Sequence, residues 1–217
     1  MSIATAPHPA SPRTALGDLT ARAAVVPITL EQYQRMIDEG IFSEDSSVEL
    51  LSGVLVRKDR SVIGENPMGH SPLHRLVVAL LTSLTSKVNS ERRHLQIQLP
   101  IACPPDGAPE PDASIIRGVP RDYPDRLPGP DDVFCVIEAA HSSLDRDRED
   151  KLPIYAAARV AQYMVINLQN STIEVHADPD SAAGVYRTKT TASRGAMLRV
   201  HLGEDQWLDV RADELLP

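Results

Sequence analysis

The fold is decided by residues 131–167, which read DDVFCVIEAAHSSLDRDREDKLPIYAAARVAQYMVIN. An apolar run, 133–137, ends on a carboxylate, Glu138, and a second apolar run covers 163–168. Between them lie a charged segment, 144–151, and a helix-like stretch, 152–158. The pattern predicts two buried strands joined by a helix, and such a strand delivers its last residue into the cleft beside the sheet. Glu138 is therefore the first candidate for a functional residue.

Two further acids and a lysine occur in comparable settings. Asp112 directly precedes a short β-branched run, 113–116, which is typical of a strand. Glu49 lies in an apolar segment, and Lys151 follows Glu138 by 13 residues. Carboxylates suit Mg²⁺, which keeps several waters and binds through one or two acids together with substrate phosphate. Three acids and one lysine on a small α/β core indicate a Mg²⁺-dependent phosphodiesterase.

The other elements are read from caps, turns and apolar periodicity. A capping box at Thr29 opens a helix to about Glu39, and 48–57 reads as a hairpin. Apolar residues at steps of three and four predict a helix over 73–88, and alternation predicts a strand over 94–101. A helix over about 145–158, with Pro153 near its start or kinking it, precedes strands at 163–168, 171–176 and 184–188, the last two forming an edge hairpin. These elements predict an α/β fold with a mixed sheet flanked by helices.

At this point the motifs carry a resemblance that runs through most of the chain, roughly from Ile28 to Tyr186. In this order they resemble the PD-(D/E)XK nuclease superfamily and, more narrowly, its Uma-two branch of restriction-endonuclease-like bacterial proteins. The matching pieces are Thr29-Leu30-Glu31-Gln32-Tyr33, Val48-Glu49-Leu50-Leu51, Gly53-Val54-Leu55-Val56, Ser71-Pro72-Leu73-His74, Pro109-Glu110-Pro111-Asp112, Val136-Ile137-Glu138-Ala139-Ala140, Ser142-Ser143-Leu144, Asp147-Arg148 and Lys151-Leu152-Pro153-Ile154-Tyr155-Ala156.

The resemblance implies a restriction-endonuclease-like core and a role for each matching polar residue. Asp112 and Glu138 would bind Mg²⁺, for which Mn²⁺ substitutes, and Glu49 would be a third ligand of the metal or its water. His74 would contact a phosphate or orient a metal-bound water. Gln98 would be a supporting donor near Asp112.

The standard superfamily motif places its lysine two residues after the acid, where this chain has Ala140. In the resembling branch a lysine recurs on the following helix, and Lys151 matches it. Four further positions depart from the branch, which has Gly, Glu, Trp and Asp where this chain has, in the same order, Arg159, Gln162, Met164 and Asn167. We interpret these four as structural.

Length, composition and charge limit the classes of protein to which the chain can belong. A length of 217 residues suits a flexible leader, 1–26, followed by a single nuclease-like domain, 27–217. No stretch approaches the roughly 20 apolar residues of a membrane span, and two scattered cysteines suit a reducing cytoplasm. The net charge of −8 argues against a general nucleic-acid binder, although local basic strips occur at 57–60 and 92–94.

We therefore expect a cytoplasmic, Mg²⁺-dependent DNA endonuclease, with a homodimer as its assembly. The alternative is a catalytically silent nuclease-like domain that binds nucleic acid or a protein partner; both the absence of a same-strand lysine and the acidic charge favour it. A plain structural or oligomerisation domain is the third reading, and carboxylates that converge on one cleft would speak against it.

Overall fold

The computed structural model describes residues 25–42, 48–57, 72–141 and 143–217. The predicted leader lies outside these residues except for its last two positions, and so do the loop 61–71, residues 58–60 of one basic strip and Ser142. The described residues form a mixed α/β fold, as predicted. No helix among them is long and apolar enough to cross a membrane.

The elements follow one another nearly as the sequence predicts. In chain order they are α1 (Leu30–Asp38), β1 (Val48–Leu51), β2 (Val54–Arg57), α2 (Pro72–Ser83), α3 (Thr85–Val88), β3 (Arg93–Ile97), β4 (Ala113–Arg117), β5 (Val133–Ala140), α4 (residues 144–157), β6 (Gln162–Asn167), β7 (Thr172–Asp180), β8 (Val185–Ser193), β9 (Met197–Gly203) and β10 (Gln206–Arg211), with short 3₁₀ turns at Pro120–Asp122 and Ala212–Glu214. The capping box at Thr29 is present, with Gln32 as its reciprocal partner.

Six strands form the central sheet in the order β3-β4-β5-β6-β7-β8. Only β5 and β6 pair in parallel, and α4 makes the crossover between them. The other neighbours are antiparallel, and β7 and β8 make the predicted hairpin at one edge. The pairs β1-β2 and β9-β10 are separate hairpins. The mixed sheet is thus confirmed, with a strand–helix–strand unit at its centre.

Residues of β5 alternate between two buried clusters on opposite faces of the sheet. Cys135, Ile137 and Ala139 pack with α2 and with the β9-β10 hairpin. Val136 and Ala140 pack with α4 and with part of the β1-β2 hairpin. Because side chains of a strand alternate with a period of two, Glu138 shares the α4 face with Ala140. This alternation decides which helix meets the candidate acid.

Several predicted boundaries are wrong, among them the ends of the two edge-hairpin strands, which reach Asp180 and Ser193 instead of 176 and 188. Strand β3 ends at Ile97 rather than at 101, because Gln98 takes a positive φ of 48° and turns the chain away. The helix predicted over 73–88 is divided at Leu84 into α2 and α3. Strand β5 continues to Ala140, so that Glu138 lies inside the strand rather than at its end.

The apolar stripe of α2 is wider than the face that the sheet covers. Val77, Leu81, Leu84 and Val88 are buried as expected, whereas Leu73 and Leu76 are 41% and 45% exposed among the described residues. A helix of this length turns only part of its circumference towards one sheet, and the periodicity alone does not show where coverage ends.

Helix α4 is not a uniform α-helix. It is α-helical over Leu144–Arg146, π-helical over Asp147–Lys151 and α-helical again over Leu152–Ala157. In the π turn the Leu152 N–H donates to the Asp147 carbonyl, five residues earlier. Pro153 has no N–H to continue an α-helical ladder, which gives the chain a local reason to widen there. The sequence located the helix and its proline but not the π turn.

Candidate active site

Lys151 lies buried between two acids from different parts of the chain. Its Nζ is 2.8 Å from Glu138 Oε1 and 3.1 Å from Glu49 Oε2. The lysine is 3% exposed, and Glu138 and Glu49 are 4% and 0% exposed. A buried ammonium of this kind requires charged or polar partners, since an unpaired charge in the core is costly. The Lys151 ammonium therefore lies between Glu138 and Glu49.

The lysine reaches the acid from the helix instead of the strand. Ala140 is buried and faces α4, as does Glu138, so a side chain at Ala140 would point to the same region. The Ala140 side chain is only a methyl group and leaves room beside Glu138. Lys151 of α4 occupies this room and supplies the cation. The structure therefore places a positive charge next to Glu138 although the superfamily position carries none.

Glu49 is brought to the site by the β1-β2 hairpin. The neighbouring Leu50 forms an antiparallel bridge with Ala108, which fixes the hairpin against the segment that leads to Asp112. Glu49 Oε2 accepts from the Glu110 N–H at 3.2 Å. Glu49 Oε1 lies 3.6 Å from an Arg146 nitrogen and accepts no hydrogen bond from the part of the chain that the structure describes.

Asp112 is held at the start of β4 by contacts from three directions. Its Oδ1 lies 3.0 Å from His74 Nε2 on α2 and accepts from Gln98 Nε2 at 3.3 Å. Its Oδ2 accepts from the Ala139 N–H on β5 at 2.8 Å. His74 and Gln98 are thus both brought to Asp112; the sequence predicted this neighbour for Gln98 but not for His74. The bond to Ala139 places the Asp112 carboxylate next to the residue that follows Glu138.

Two polar residues of the site were missed by sequence reasoning. Asp147 is 2% exposed and accepts from Ser143 Oγ at 2.8 Å. Tyr155 is fully buried, and its hydroxyl donates to Glu138 Oε1 at 2.8 Å. Asp147, Lys151 and Tyr155 follow one another at steps of four, the spacing of one helix face, and this was the available signal.

The charges of these groups act on one another. Burial raises the pKa of Glu138 to about 8, and the Lys151 ammonium opposes this without cancelling it. Burial alone would lower the pKa of Lys151, but Glu138, Glu49 and Asp147 outweigh it and raise that pKa. Burial also raises the pKa of Asp147, against the effects of Lys151 and Ser143.

Asp112 behaves differently from the other acids. Burial alone would raise its pKa, but the hydrogen bonds from His74 and from the Ala139 N–H, together with the charge of Lys151, outweigh burial and lower it. Asp112 is therefore a carboxylate at neutral pH, whereas burial favours the protonated form of Glu138. Environments that separate the pKa values of two nearby acids are typical of active sites.

The donor set fits a hard divalent cation, although the ligands are not assembled around one. Within the described ranges, no group of three His, Cys, Asp or Glu side chains is arranged to hold a metal ion. Four buried acids, Glu49, Asp112, Glu138 and Asp147, nevertheless share one buried lysine. Glu49 Oε1 is a buried oxygen without a hydrogen bond from the described residues. Arg146 also lies beside Glu49, at 3.6 Å, and carboxylate oxygens such as these are the ligands that Mg²⁺ or Mn²⁺ prefers.

Fold and site together define a restriction-endonuclease-like α/β protein with a carboxylate–lysine centre. The profile of the family described as "Uma2: Putative restriction endonuclease" matches residues 30–211, and the chain belongs to this family. The family match confirms the resemblance inferred from the sequence motifs.

A solved structure has the same fold. It is the crystal structure of a putative nuclease belonging to DUF820 from Anabaena variabilis, with 15% identity and a TM-score of 0.61, and the match covers 87% of this chain and 97% of that one. At this identity the likeness supports the restriction-endonuclease-like fold alone. The search of curated proteins returned no match.

Proposed function

We propose that the protein is a Mg²⁺-dependent DNA endonuclease that hydrolyses phosphodiester bonds, with Mn²⁺ as a substitute ion. The observation that carries this proposal is the contact of Lys151 with both Glu138 and Glu49. An acid pair with a buried lysine is the side-chain set that the superfamily chemistry needs, and here the lysine comes from α4. The family supports a nuclease; the metal and the DNA substrate are proposed from the chemistry of these side chains.

Asp112 and Glu138 would hold the cation, with Glu49 as the third acid. When bound, the ion supplies charge relief at the phosphoryl oxygens and makes its water easier to deprotonate. Gln98 and the Ala139 N–H fix the orientation of the Asp112 carboxylate, because they donate to its two different oxygens. Donors of this kind around a ligand determine its orientation.

Lys151 and His74 would serve the substrate. The Lys151 ammonium can neutralise a phosphate oxygen or orient the attacking water, and its charge is preserved because its pKa is raised. His74 lies in the first turn of α2 and contacts Asp112, so it would hold this acid or donate to a phosphate. Both side chains are already in place on rigid elements, which favours catalysis by positioning.

The test is cleavage of supercoiled plasmid and linear duplex DNA with Mg²⁺, with Mn²⁺ and with excess chelator. We expect cleavage with either ion and none with chelator. Glu138→Gln and Asp112→Asn should abolish both cleavage and Mn²⁺ binding, because each removes a ligand charge and keeps the volume. Glu174→Gln is the matched control, since it removes another buried acid from the same sheet. Equal Mn²⁺ affinity in the wild type and both site variants would refute the metal site.

A catalytically silent domain that binds nucleic acid or a partner protein is the second candidate. It is favoured by the net charge of −8 and by the lack of a three-ligand group in the described ranges. In that case Lys151 would be a permanent structural cation. DNA binding without cleavage, unchanged by Mn²⁺, would support this candidate over the enzyme.

Three wider proposals accompany the function. Residues 27–217 would form one domain, the protein would act in the cytoplasm, and two copies would form a homodimer. Sedimentation equilibrium gives the oligomeric state, and limited proteolysis gives the domain boundary.

A further inference from the structure

Tyr155 is a residue of the site to which neither the sequence nor the proposed function assigns a role. It lies on the last α-helical part of α4, Leu152–Ala157, and is fully buried. Its ring packs on Tyr163 with a centroid distance of 4.9 Å. The Tyr155 hydroxyl donates to Glu138 Oε1 at 2.8 Å. A buried phenol needs such a partner, but a backbone carbonyl would serve equally well.

Tyr155 and Lys151 lie close together on α4 and donate to the same acid, Glu138. The two residues are four apart, so their side chains leave the same face of α4 one turn apart. Both contact the same oxygen, Glu138 Oε1, each at 2.8 Å. Lys151 also contacts Glu49 at 3.1 Å, whereas the hydroxyl of Tyr155 contacts Glu138 alone among the described residues. The Lys151 ammonium is therefore shared between Glu138 and Glu49, whereas the Tyr155 hydroxyl serves Glu138 alone among these residues.

The difference matters once a phosphate enters the site. In the proposed function, which this inference rests on, the Lys151 ammonium would turn towards the substrate phosphate, and its contact with Glu138 would loosen. Glu138 would then lose one of its two donors at Oε1, and its side chain would gain rotational freedom. A neutral hydroxyl has no charge to offer the phosphate and keeps its bond to the carboxylate.

We propose that Tyr155 is a positioning residue of this site: its hydroxyl keeps the Glu138 carboxylate in its ligating orientation while Lys151 changes partners. Donors that orient a metal-binding carboxylate typically change metal affinity or activity by about 10–100-fold when removed. The effect should appear in catalysis and in metal binding more than in folding.

The experiment compares Tyr155→Phe with Tyr186→Phe in the full-length protein. Tyr186 is the matched control because its hydroxyl donates to a backbone carbonyl, that of Val160, at 2.9 Å. We expect Tyr155→Phe to weaken Mn²⁺ binding, measured by calorimetry, by about tenfold and to lower kcat by about 10–100-fold with the KM for DNA unchanged. Tyr186→Phe should leave the Mn²⁺ affinity and kcat at wild-type values, while urea unfolding shows similar stability losses for both variants.

The outcomes separate the two proposals. Wild-type binding and cleavage, combined with equal Mn²⁺ affinity and kcat in the two tyrosine variants, would overturn the positioning role and leave the proposed function standing. A wild-type protein that neither binds Mn²⁺ nor cleaves DNA would overturn the proposed function and the role of Tyr155 with it.

Discussion

At the scale of single residues, the effect of replacing Lys151 distinguishes a catalytic site from a cluster of purely structural ion pairs. Lys151→Ala should lower the cleavage rate by at least about tenfold, which corresponds to roughly 1.4 kcal/mol of barrier. Mn²⁺ affinity should be unchanged or tighter, because the variant removes a positive charge beside the ion. Cleavage rate and calorimetric titration measure the two effects.

The control for Lys151 is Lys189, which contacts a carboxylate outside the site, that of Glu174, at 3.0 Å. Lys189→Ala should keep full activity. Lys151→Ala should also cost about 3–5 kcal/mol of unfolding free energy in the absence of metal, since it leaves buried acids without their cation. Full activity in Lys151→Ala would contradict the idea that the superfamily lysine has moved to the helix.

Glu138 should make metal binding depend on pH. Burial raises its pKa to about 8 in the metal-free protein. The ion binds the carboxylate and competes with the proton, so the affinity should rise as the pH rises and level off above about 8. Between pH 6 and 8 the apparent Mn²⁺ affinity should increase by about 50-fold in total, close to tenfold from pH 6 to 7 and about fivefold from pH 7 to 8. Calorimetry in several buffers measures this, and an affinity independent of pH from 6 to 8 would contradict the assignment.

Sequence reasoning found the charged members of the site more readily than their supporting residues. Asp112 and Glu138 stand out because a charge beside an apolar run has few structural uses, and Lys151 was found through its match to the family's lysine on the following helix. Asp147 lies in a run of charges, 145–151, where most side chains are solvated, and its burial depends on the π turn. Tyr155 has the sequence setting of a core aromatic residue and is buried in the core. It belongs to the site only because its hydroxyl donates to Glu138.

At the scale of elements, the π turn of α4 is also tied to the sheet through Glu174 on β7. Arg148 Nε donates to Glu174 Oε2 at 3.2 Å, and a second guanidinium nitrogen of Arg148 contacts Glu174 Oε1. Lys189 contacts the same oxygen from β8. One buried glutamate on β7 thereby links α4 to the edge hairpin.

This link should show up in the pH dependence of stability. Burial alone would raise the pKa of Glu174, but Arg148 and Lys189 outweigh it and lower the pKa to about 2. A depressed pKa stabilises the fold above the unfolded value of about 4.5, and the contribution is lost as the pH falls through the folded value. Glu174→Gln should therefore cost about 1–2 kcal/mol near pH 7 and progressively less below pH 4.5.

Urea unfolding from pH 2 to 7 measures the difference between the wild type and Glu174→Gln. Glu204→Gln is the control, because its exposed ion pairs with Arg92 and Arg117 should contribute little at any pH. A constant difference between the wild type and Glu174→Gln from pH 7 to 2 would contradict the ionic link.

The elements themselves were largely predictable, and the exceptions have local causes. Periodicity and caps located α1, the β1-β2 hairpin, the β5-α4-β6 unit and the β7-β8 edge hairpin. The end of β3 depends on the backbone of Gln98, and the division of α2 from α3 depends on Leu84. Such breaks arise from tertiary contacts, among them the bonds from Gln98 to Asp112, that a periodicity does not contain.

At the scale of the whole molecule, the site exists because distant segments meet at one end of the sheet. Glu49 comes from an N-terminal hairpin, Asp112 from the start of β4, Glu138 from β5 and Lys151 from the crossover helix. Each segment was recognisable alone, but their meeting is a property of the topology, and the sequence reached it only through the resemblance of the ordered motifs to one family.

The net charge of −8 is consistent with a metal-dependent reaction on DNA but not with tight general binding of DNA. An acidic protein repels phosphate, and most non-specific affinity for DNA comes from lysine and arginine. A divalent cation among the buried acids would reverse the charge where the phosphate must approach. Whether such an ion binds is thus the central question for this protein.

The most direct measurement is anomalous diffraction from crystals of the protein soaked in Mn²⁺. We predict an anomalous peak within about 2.0–2.5 Å of carboxylate oxygens of Asp112 and Glu138, with Glu49 nearby and the Lys151 ammonium still in the cleft. A Mn²⁺-soaked crystal with no peak there, and with Lys151 still bound to Glu138 and Glu49, would contradict the metal site and favour the silent domain.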